Sequence, residues 1–366
     1  MNPRRIGISF FISFALLWLT GCSASAGQLI KLRTPIPTSV PQRTPVLETS
    51  LPQSLESTPG QTQQPLRFTF PTPQPAPVSL WRPPLYDVPW ALNPLDHFYF
   101  SRPIAADEVN WPLADYRYGG VFPGTTLVHT GIDIDAPRNT PVLAAANGKV
   151  VWAGYGLFSG SSDVNDPYGI AVMLLHDFGF QGKKLYTVYA HMDEIYVQTG
   201  QLVKTGEQLG KVGITGNTSG PHLHFEVRLG SNTFFVTRNP ELWLAPPQGW
   251  GVLTGRLLNS NSSLLTNQTV TIQSKTTHRK WSVISYGPST VNSDDYYHEN
   301  VVLSDLPAGD YVVSVDYLED TLSTDLTIQP GAVTYFSFKG KYGFSHELPQ
   351  PAGLDAWLFS SGLALP

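Results

Sequence analysis

The chain is poor in sulfur and in charge. Its single cysteine, Cys22, rules out an intrachain disulfide, so any folded part rests on packing or on a metal. Charged residues make up 14% of the 366 positions, well under the roughly 25% of an average soluble chain. The formal net charge of -5 carries no basic excess. That removes the sequence-independent attraction to a phosphate backbone, and nucleic acid is set aside as a partner. Between Tyr86 and Pro246 no long stretch keeps a 3.6-residue apolar period, which argues against a helical architecture. What is present is apolar: 41% hydrophobic and 12% aromatic residues are enough for real cores. A chain of this length is expected to hold two folded units and linkers.

The N-terminus accounts for the cysteine. Arg4 and Arg5 precede an apolar run from Ile6 to Leu19, interrupted by Gly7, Ser9 and Ser13. This run is short for a bilayer span and has the build of a signal peptide. It ends in Leu19-Thr20-Gly21-Cys22, which resembles a bacterial lipobox; an ordinary cleavage site at Ala24-Ser25-Ala26 is the alternative. The lipobox resemblance implies that residues 1–22 are a lipoprotein signal, that Cys22 is diacylated, and that the mature chain is an extracytoplasmic, membrane-anchored lipoprotein. Two acyl chains suffice for stable anchoring where one does not. Eleven prolines between Pro35 and Pro77, among Thr, Gln and Ser, mark residues 23–85 as a tether.

Two β-rich series follow. Residues 86–246 contain short apolar segments punctuated by glycine: Pro141 to Leu143, Lys149 to Trp152, Ile170 to His176, Leu185 to His191 and His222 to Leu229. They predict a mostly antiparallel sheet domain. Residues 251–340 hold seven more: Val252 to Leu258, Thr269 to Gln273, Trp281 to Tyr286, Tyr297 to Leu303, Tyr311 to Tyr317, Leu322 to Ile328 and Val333 to Phe338. That spacing predicts a β-sandwich. The turn Leu306-Pro307-Ala308-Gly309-Asp310-Tyr311 resembles the LPAGxY turn of transthyretin-like or Cna-B-like modules. Residues 341–366 form a tail without assignment.

Three segments concentrate the chemistry: His129-Thr130-Gly131-Ile132-Asp133, Tyr189-Ala190-His191, and His222-Leu223-His224-Phe225-Glu226. A catalytic zinc takes three protein ligands at about 2.0–2.2 Å and keeps a position open. On a straight strand the Cα atoms of His129 and Asp133 would lie about 13 Å apart, so the chain must bend between them, and Gly131, midway, is the residue that lets a backbone fold sharply or approach closely. His222 and His224 share one face of a strand, which lets one bind metal while the other stands beside it. Imidazole and carboxylate without thiolate suit Zn²⁺ in a hydrolytic role.

Taken together, these segments resemble the M23 peptidases, the lysostaphin-like or LytM-type zinc endopeptidases of bacterial cell walls. The similarity runs from about Tyr116 to Arg228 and includes Pro141-Val142-Leu143-Ala144-Ala145, Gly148-Lys149-Val150-Val151, Gly169-Ile170-Ala171-Val172 and Gly210-Lys211-Val212-Gly213. It implies a lysostaphin-like fold with a duplicated hybrid motif. It also implies that His129, Asp133 and His224 bind zinc, that His191 and His222 are the catalytic histidines, and that peptidoglycan is the substrate. The alternative within the family is a silent module that binds the wall and activates a partner amidase; all five positions are filled, which disfavours it. The loop from Leu157 to Tyr168 is longer than in the simplest relatives and is expected to be a solvated insertion or a groove wall. Asp135 is expected to be solvated or a partner of the ligands, with a mis-assigned ligand as the alternative, and Glu226 to orient a histidine or to form a plain salt bridge on the strand. His97, His176, His278, His298 and His346 are expected to be structural or surface residues, and Asn93 or Asn110 are candidates to occupy the metal's open position.

Overall fold

Alternation decides the architecture. In His222-Leu-His-Phe-Glu-Val-Arg-Leu229 every second residue is apolar, and in the computed structural model Leu223, Phe225, Val227 and Leu229 enter one core while the polar set faces the other way. The structure describes residues 84–104, 116–121, 128–288 and 291–350. The signal-like segment, Cys22, nearly all of the proline-rich stretch, Asn110 and residues 351–366 lie outside them.

Nine strands make the first sheet: β1 (Ile132–Asp135), β2 (Pro141–Leu143), β3 (Gly148–Gly154), β4 (Ile170–Phe180), β5 (Lys183–Ile195), β6 (Leu202–Val203), β7 (Gln208–Val212), β8 (His222–Leu229) and β9 (Thr237–Arg238). Its main path runs β1-β8-β5-β4-β3-β6, with β7 paired to β2 and β5, and β9 to β8. Every pairing is antiparallel. One face carries the main core, including Ile132, Ile134, Val172, Leu174, Tyr189, Met192 and the four apolar residues of β8. The opposite face carries a smaller apolar patch of Ala171, Met173, Tyr168, Val188 and Ala190.

The remaining strands are β10 (Trp250–Leu258), β11 (Thr269–Ser274), β12 (Lys280–Ile284), β13 (Val301–Pro307), β14 (Gly309–Tyr317), β15 (Asp320–Ile328), β16 (Val333–Lys339) and β17 (Phe344–Ser345). They form two four-stranded sheets, β13-β10-β16-β17 and β12-β11-β14-β15. Leu253, Leu257, Val270, Ile272, Val313, Val315, Phe336 and Phe338 build the core that these two sheets share. All their pairings are antiparallel except β10 with β16, which run parallel.

The expected strand from Tyr297 begins later, at Val301. Asp294 Oδ1 accepts from the backbone N–H of Tyr296 at 2.9 Å and of Tyr297 at 3.0 Å, and His298 has φ 49°, so these residues are spent on a turn. At the LPAGxY turn, Tyr311 Oη donates to Pro307 O at 2.7 Å, tying β14 back to β13.

The main core does not stop at the first sheet. Val252, Tyr286, Tyr297, Val302, Val333 and Tyr335, all from the C-terminal part, belong to it. At about 1.5–3 kcal/mol for each fully buried large apolar side chain, this seam is a major part of the stability of both layers. The described residues are mostly β, and those of them that are helical form short 3₁₀ turns such as Phe234–Val236 and Pro240–Leu242. Among the described residues no helix is long and apolar enough to cross a membrane.

Candidate metal centre

Strand register brings the three segments together. Asp133 on β1 pairs with His224 on β8, and His224 pairs with Ala190 on β5. His129 lies just before β1, and its backbone is held by the 117–120 segment: His129 N–H donates to Gly120 O and Gly119 N–H to His129 O, both at 2.8 Å. A Cβ on Gly131 would stand 2.4 Å from Phe225 O and 2.9 Å from His224 Cε1. Glycine therefore serves there for close approach to β8, which lets His129 fold over the pair.

The result is a tight triangle of atoms. His129 Nε2 lies 3.0 Å from Asp133 Oδ1 and 3.0 Å from His224 Nδ1, and His224 Nδ1 lies 2.8 Å from Asp133 Oδ1. All three side chains are buried. The far ring nitrogens are already committed. His129 Nδ1–H donates to Arg117 O at 3.3 Å, and His224 Nε2–H donates to Glu226 Oε1 at 3.1 Å. Two imidazole lone pairs and one carboxylate oxygen thus converge on a single point, an arrangement that repels itself unless a cation sits among them. The edge of a tetrahedron with zinc–ligand bonds of about 2.0–2.1 Å is about 3.3 Å, close to the separations found. The residues fit a divalent metal.

Electrostatics agree. Burial alone would raise Asp133, but the charge and hydrogen bonds of His129 and His224 outweigh it and hold the carboxyl well below the usual range. Burial alone would lower His224; Asp133 and Glu226 outweigh that and lift it to about 9.

Glu226 carries more of the site than its spacing suggests. Its Oε1 accepts from Thr130 Oγ1 and Tyr168 Oη, each at 2.7 Å, and its Oε2 accepts from Arg228 Nε at 2.7 Å. It is fully buried; Arg228 and His224 outweigh the burial penalty and keep it ionised. Of the two readings left open for Glu226, strand salt bridge and histidine partner, the structure shows both at once. Tyr168 was not identified from sequence, where a tyrosine at the end of a polar loop gives no signal. It closes the loop of residues 157–168, which is pinned from inside. Buried Asp166 accepts from Phe158 N at 2.8 Å, Ser159 N at 3.1 Å and Tyr168 N at 3.0 Å. Phe158 stays exposed and packs its ring edge against Phe234, at 5.8 Å between centroids.

His191 reaches the same face by an irregularity. Tyr189 and Met192 both enter the main core, and Ala190 lies on the opposite face. Three residues of β5 span what two residues of β4 span, from Val172 to Ile170, so β5 carries a bulge, and His191 adopts φ 61° within it. Strict alternation would have sent His191 inward beside Tyr189. The extra residue turns it outward instead, with its ring centroid 4.8 Å from His222 and 5.7 Å from His224. His191 Nδ1–H donates to Thr215 O at 2.9 Å, leaving Nε2 with a lone pair. Burial, with His224 and His222 nearby, pushes its pKa down to about 3. His222 Nδ1–H donates to Gly220 O at 2.9 Å, and its Nε2 lies 3.5 Å from Asp133 Oδ2.

The other candidates fall elsewhere. Asp135 is exposed at the end of β1. His176 is buried with Nδ1–H on Asn147 O at 2.9 Å, and burial pushes it down to about 4. His97 packs at 4.2 Å against the Trp243 ring and pairs with Asp294. His278 and His298 take turn conformations with positive φ, and His346 meets Thr324 on the surface. Asn93 spends its Oδ1 on Leu95 N at 3.0 Å.

Residues 127–235 match the profile of Peptidase family M23. Over 127 residues the chain is 40% identical to the DD-carboxypeptidase/endopeptidase Mpg of Neisseria meningitidis serogroup B, covering 35% of this chain and 26% of that protein. Over 105 residues it is 35% identical to the peptidoglycan DD-endopeptidase ShyB of Vibrio cholerae serotype O1, covering 28% and 21%. Over 119 residues it is 38% identical to the uncharacterized lipoprotein YgeR of Escherichia coli K12, covering 32% and 40%. The chain thus spans less than half the length of each of these relatives.

Proposed function

Starting from an M23 peptidase domain at residues 127–235, we propose that this protein is a zinc metallo-endopeptidase that hydrolyses peptide cross-links of peptidoglycan. In this reading Cys22 anchors it, lipidated, in a bacterial envelope, residues 23–85 are the tether, and residues 86–246 are the peptidase domain. The two C-terminal sheets are a transthyretin- or Cna-B-like sandwich at residues 251–340, and residues 341–366 are a tail. The single observation that carries the reading is the triangle of three lone-pair donors, His129 Nε2, Asp133 Oδ1 and His224 Nδ1, at 2.8–3.0 Å from one another. The names of two relatives, a DD-carboxypeptidase/endopeptidase and a peptidoglycan DD-endopeptidase, support the substrate class, and a lipoprotein relative supports the location.

Bound there, zinc supplies a Lewis acid and a water whose pKa falls toward about 7. The chain's own residues do the rest. His191, with Nδ1–H tied to Thr215 O, presents the Nε2 lone pair as the proton acceptor. His222, on the same face and next to it, would steady the negative charge that develops on the peptide oxygen through an N–H at Nε2, its Nδ1–H being tied to Gly220 O. Glu226 holds the His224 ring so that Nδ1 faces the metal.

Chelation, and separately His224→Ala, should each lower release of peptides from purified cell wall at least ~10³-fold. Mass analysis of products from defined wall peptides then identifies the bond cut. Turnover that survives both treatments refutes the proposal. A metal-free protein that binds wall and stimulates a partner amidase would favour the silent module instead.

A further inference from the structure

The loop between β12 and β13 touches the strap that holds two of the three candidate ligands. Residues 116–120 hold His129 through Gly119, Gly120 and the carbonyl of Arg117, and they hold Asp133 through its N–H to Tyr116 O at 2.9 Å. The outer side of this strap rests on residues more than 150 positions later in the chain. Gly287 N–H donates to Gly119 O at 2.8 Å. The Tyr286 ring lies so close over Gly119 that an added Cβ there would stand 2.4 Å from it. Tyr118 Oη donates to Asn292 O and accepts from Asn292 N–H, each at 3.0 Å, and its ring meets the Tyr286 ring edge-on at 5.3 Å. A Cβ on Gly287 would stand 2.3 Å from Val121 Cγ2.

Tyr286 is itself fixed from both layers. Its hydroxyl donates to Glu299 Oε1 and accepts from Asn239 Nδ2, each at 2.9 Å. A second link runs through Glu241, whose Oε2 accepts from Ser304 N–H at 2.8 Å and from the Arg117 guanidinium.

We propose that Tyr286, Gly287 and Asn292 are positioning residues of the metal centre: the loop between β12 and β13, carried by the C-terminal sheets, sets the height of the 116–121 strap, and through it the place of His129 and Asp133. The proposal rests on the metal site argued above. A ligand held by the main chain of a strap is only as well placed as the strap, and displacement by a few tenths of an ångström degrades a three-ligand site. The C-terminal sheets are then part of the metal site, without touching substrate themselves.

The test uses the full chain and Co²⁺ or Zn²⁺ alone. Gly287→Ala presses a methyl group on Val121 from the C-terminal side, and Tyr118→Phe releases the strap from Asn292, and from Thr237 of β9, while keeping the ring. Lys275→Ala, on an exposed ion pair of β11's edge, is the control. Metal affinity is read by chelator competition, the ligand field by the Co²⁺ absorption spectrum, and the fold by thermal unfolding of metal-free protein. Both strap variants are expected to bind metal at least ~5-fold more weakly and to shift the Co²⁺ bands, with metal-free unfolding and the control near wild type. Unchanged affinity and spectrum in both variants, or a loss confined to variants whose metal-free fold is also lost, overturns the inference and leaves the peptidase reading standing. A wild type that binds no metal overturns the peptidase reading and this inference with it.

Discussion

Two buried polar clusters lie on opposite sides of the first sheet, and their logic differs. At the seam with the C-terminal sheets, donors face acceptors: Arg102 to Asp305, Asn239 to Tyr286, and Ser304 N–H to Glu241. Such pairs join two layers and leave nothing convergent. On the far face, acceptors face acceptors: His129 Nε2, His224 Nδ1 and Asp133 Oδ1 point at one another, while each ring's other nitrogen is spoken for. Burial of charge alone does not distinguish structure from chemistry, since both clusters are buried. Unsatisfied acceptance toward one point does.

The sharpest way to break that contrast is Glu226→Gln, which touches both kinds of bonding. It removes the carboxylate that orients His224 and leaves Arg228 buried without its counter-charge. Metal affinity is expected to fall ~10–100-fold and stability by about 3 kcal/mol, read by chelator competition and by urea unfolding of metal-free protein. A variant that loses stability but keeps metal affinity would place Glu226 with the seam-type pairs.

On the seam side the sensitive group is Glu299. Burial, with Asp294 nearby, lifts its pKa to about 8 from an ordinary 4.5. The folded state therefore holds a proton that the unfolded state releases. Its stability contribution is full below about pH 4.5 and is lost as pH rises toward 8. Wild type should lose up to a few kcal/mol across that window relative to Glu299→Gln, measured as the difference between their unfolding free energies at pH 5 and pH 8. A constant difference would show that Glu299 ionises freely in the folded protein.

The smallest effect is expected at an exposed pair. Lys275 and Asp325 are largely solvated, so Lys275→Ala should change stability by less than about 0.5 kcal/mol. A larger change in thermal unfolding would mean that the outer sheet depends on charge more than either buried cluster suggests.

How far these features could be read in advance follows from their physics. The shared face of His222 and His224 is a period-of-two property and was legible, as was the need for glycine between His129 and Asp133. The face of His191 was not, because a one-residue bulge in β5 reverses what alternation predicts. Strands β6 and β9 are two residues long, too short to show a pattern. The turn at Asp294 to His298 competes locally with a β-prone Tyr296-Tyr297 and wins through side-chain caps on the backbone. The parallel pairing of β10 with β16 joins residues about 80 positions apart, and no local signal announces it.

That pairing orders events in time. Val333 and Tyr335 come from β16, yet they fill the core beneath the first sheet. A chain emerging N-terminus first from the ribosome or a translocation pore makes all of β1 to β9 before these two side chains exist to be packed. Long-range closure is slow and comes late. Completion of the core behind the candidate metal centre thereby waits until β16 has been delivered, a timer written into strand order.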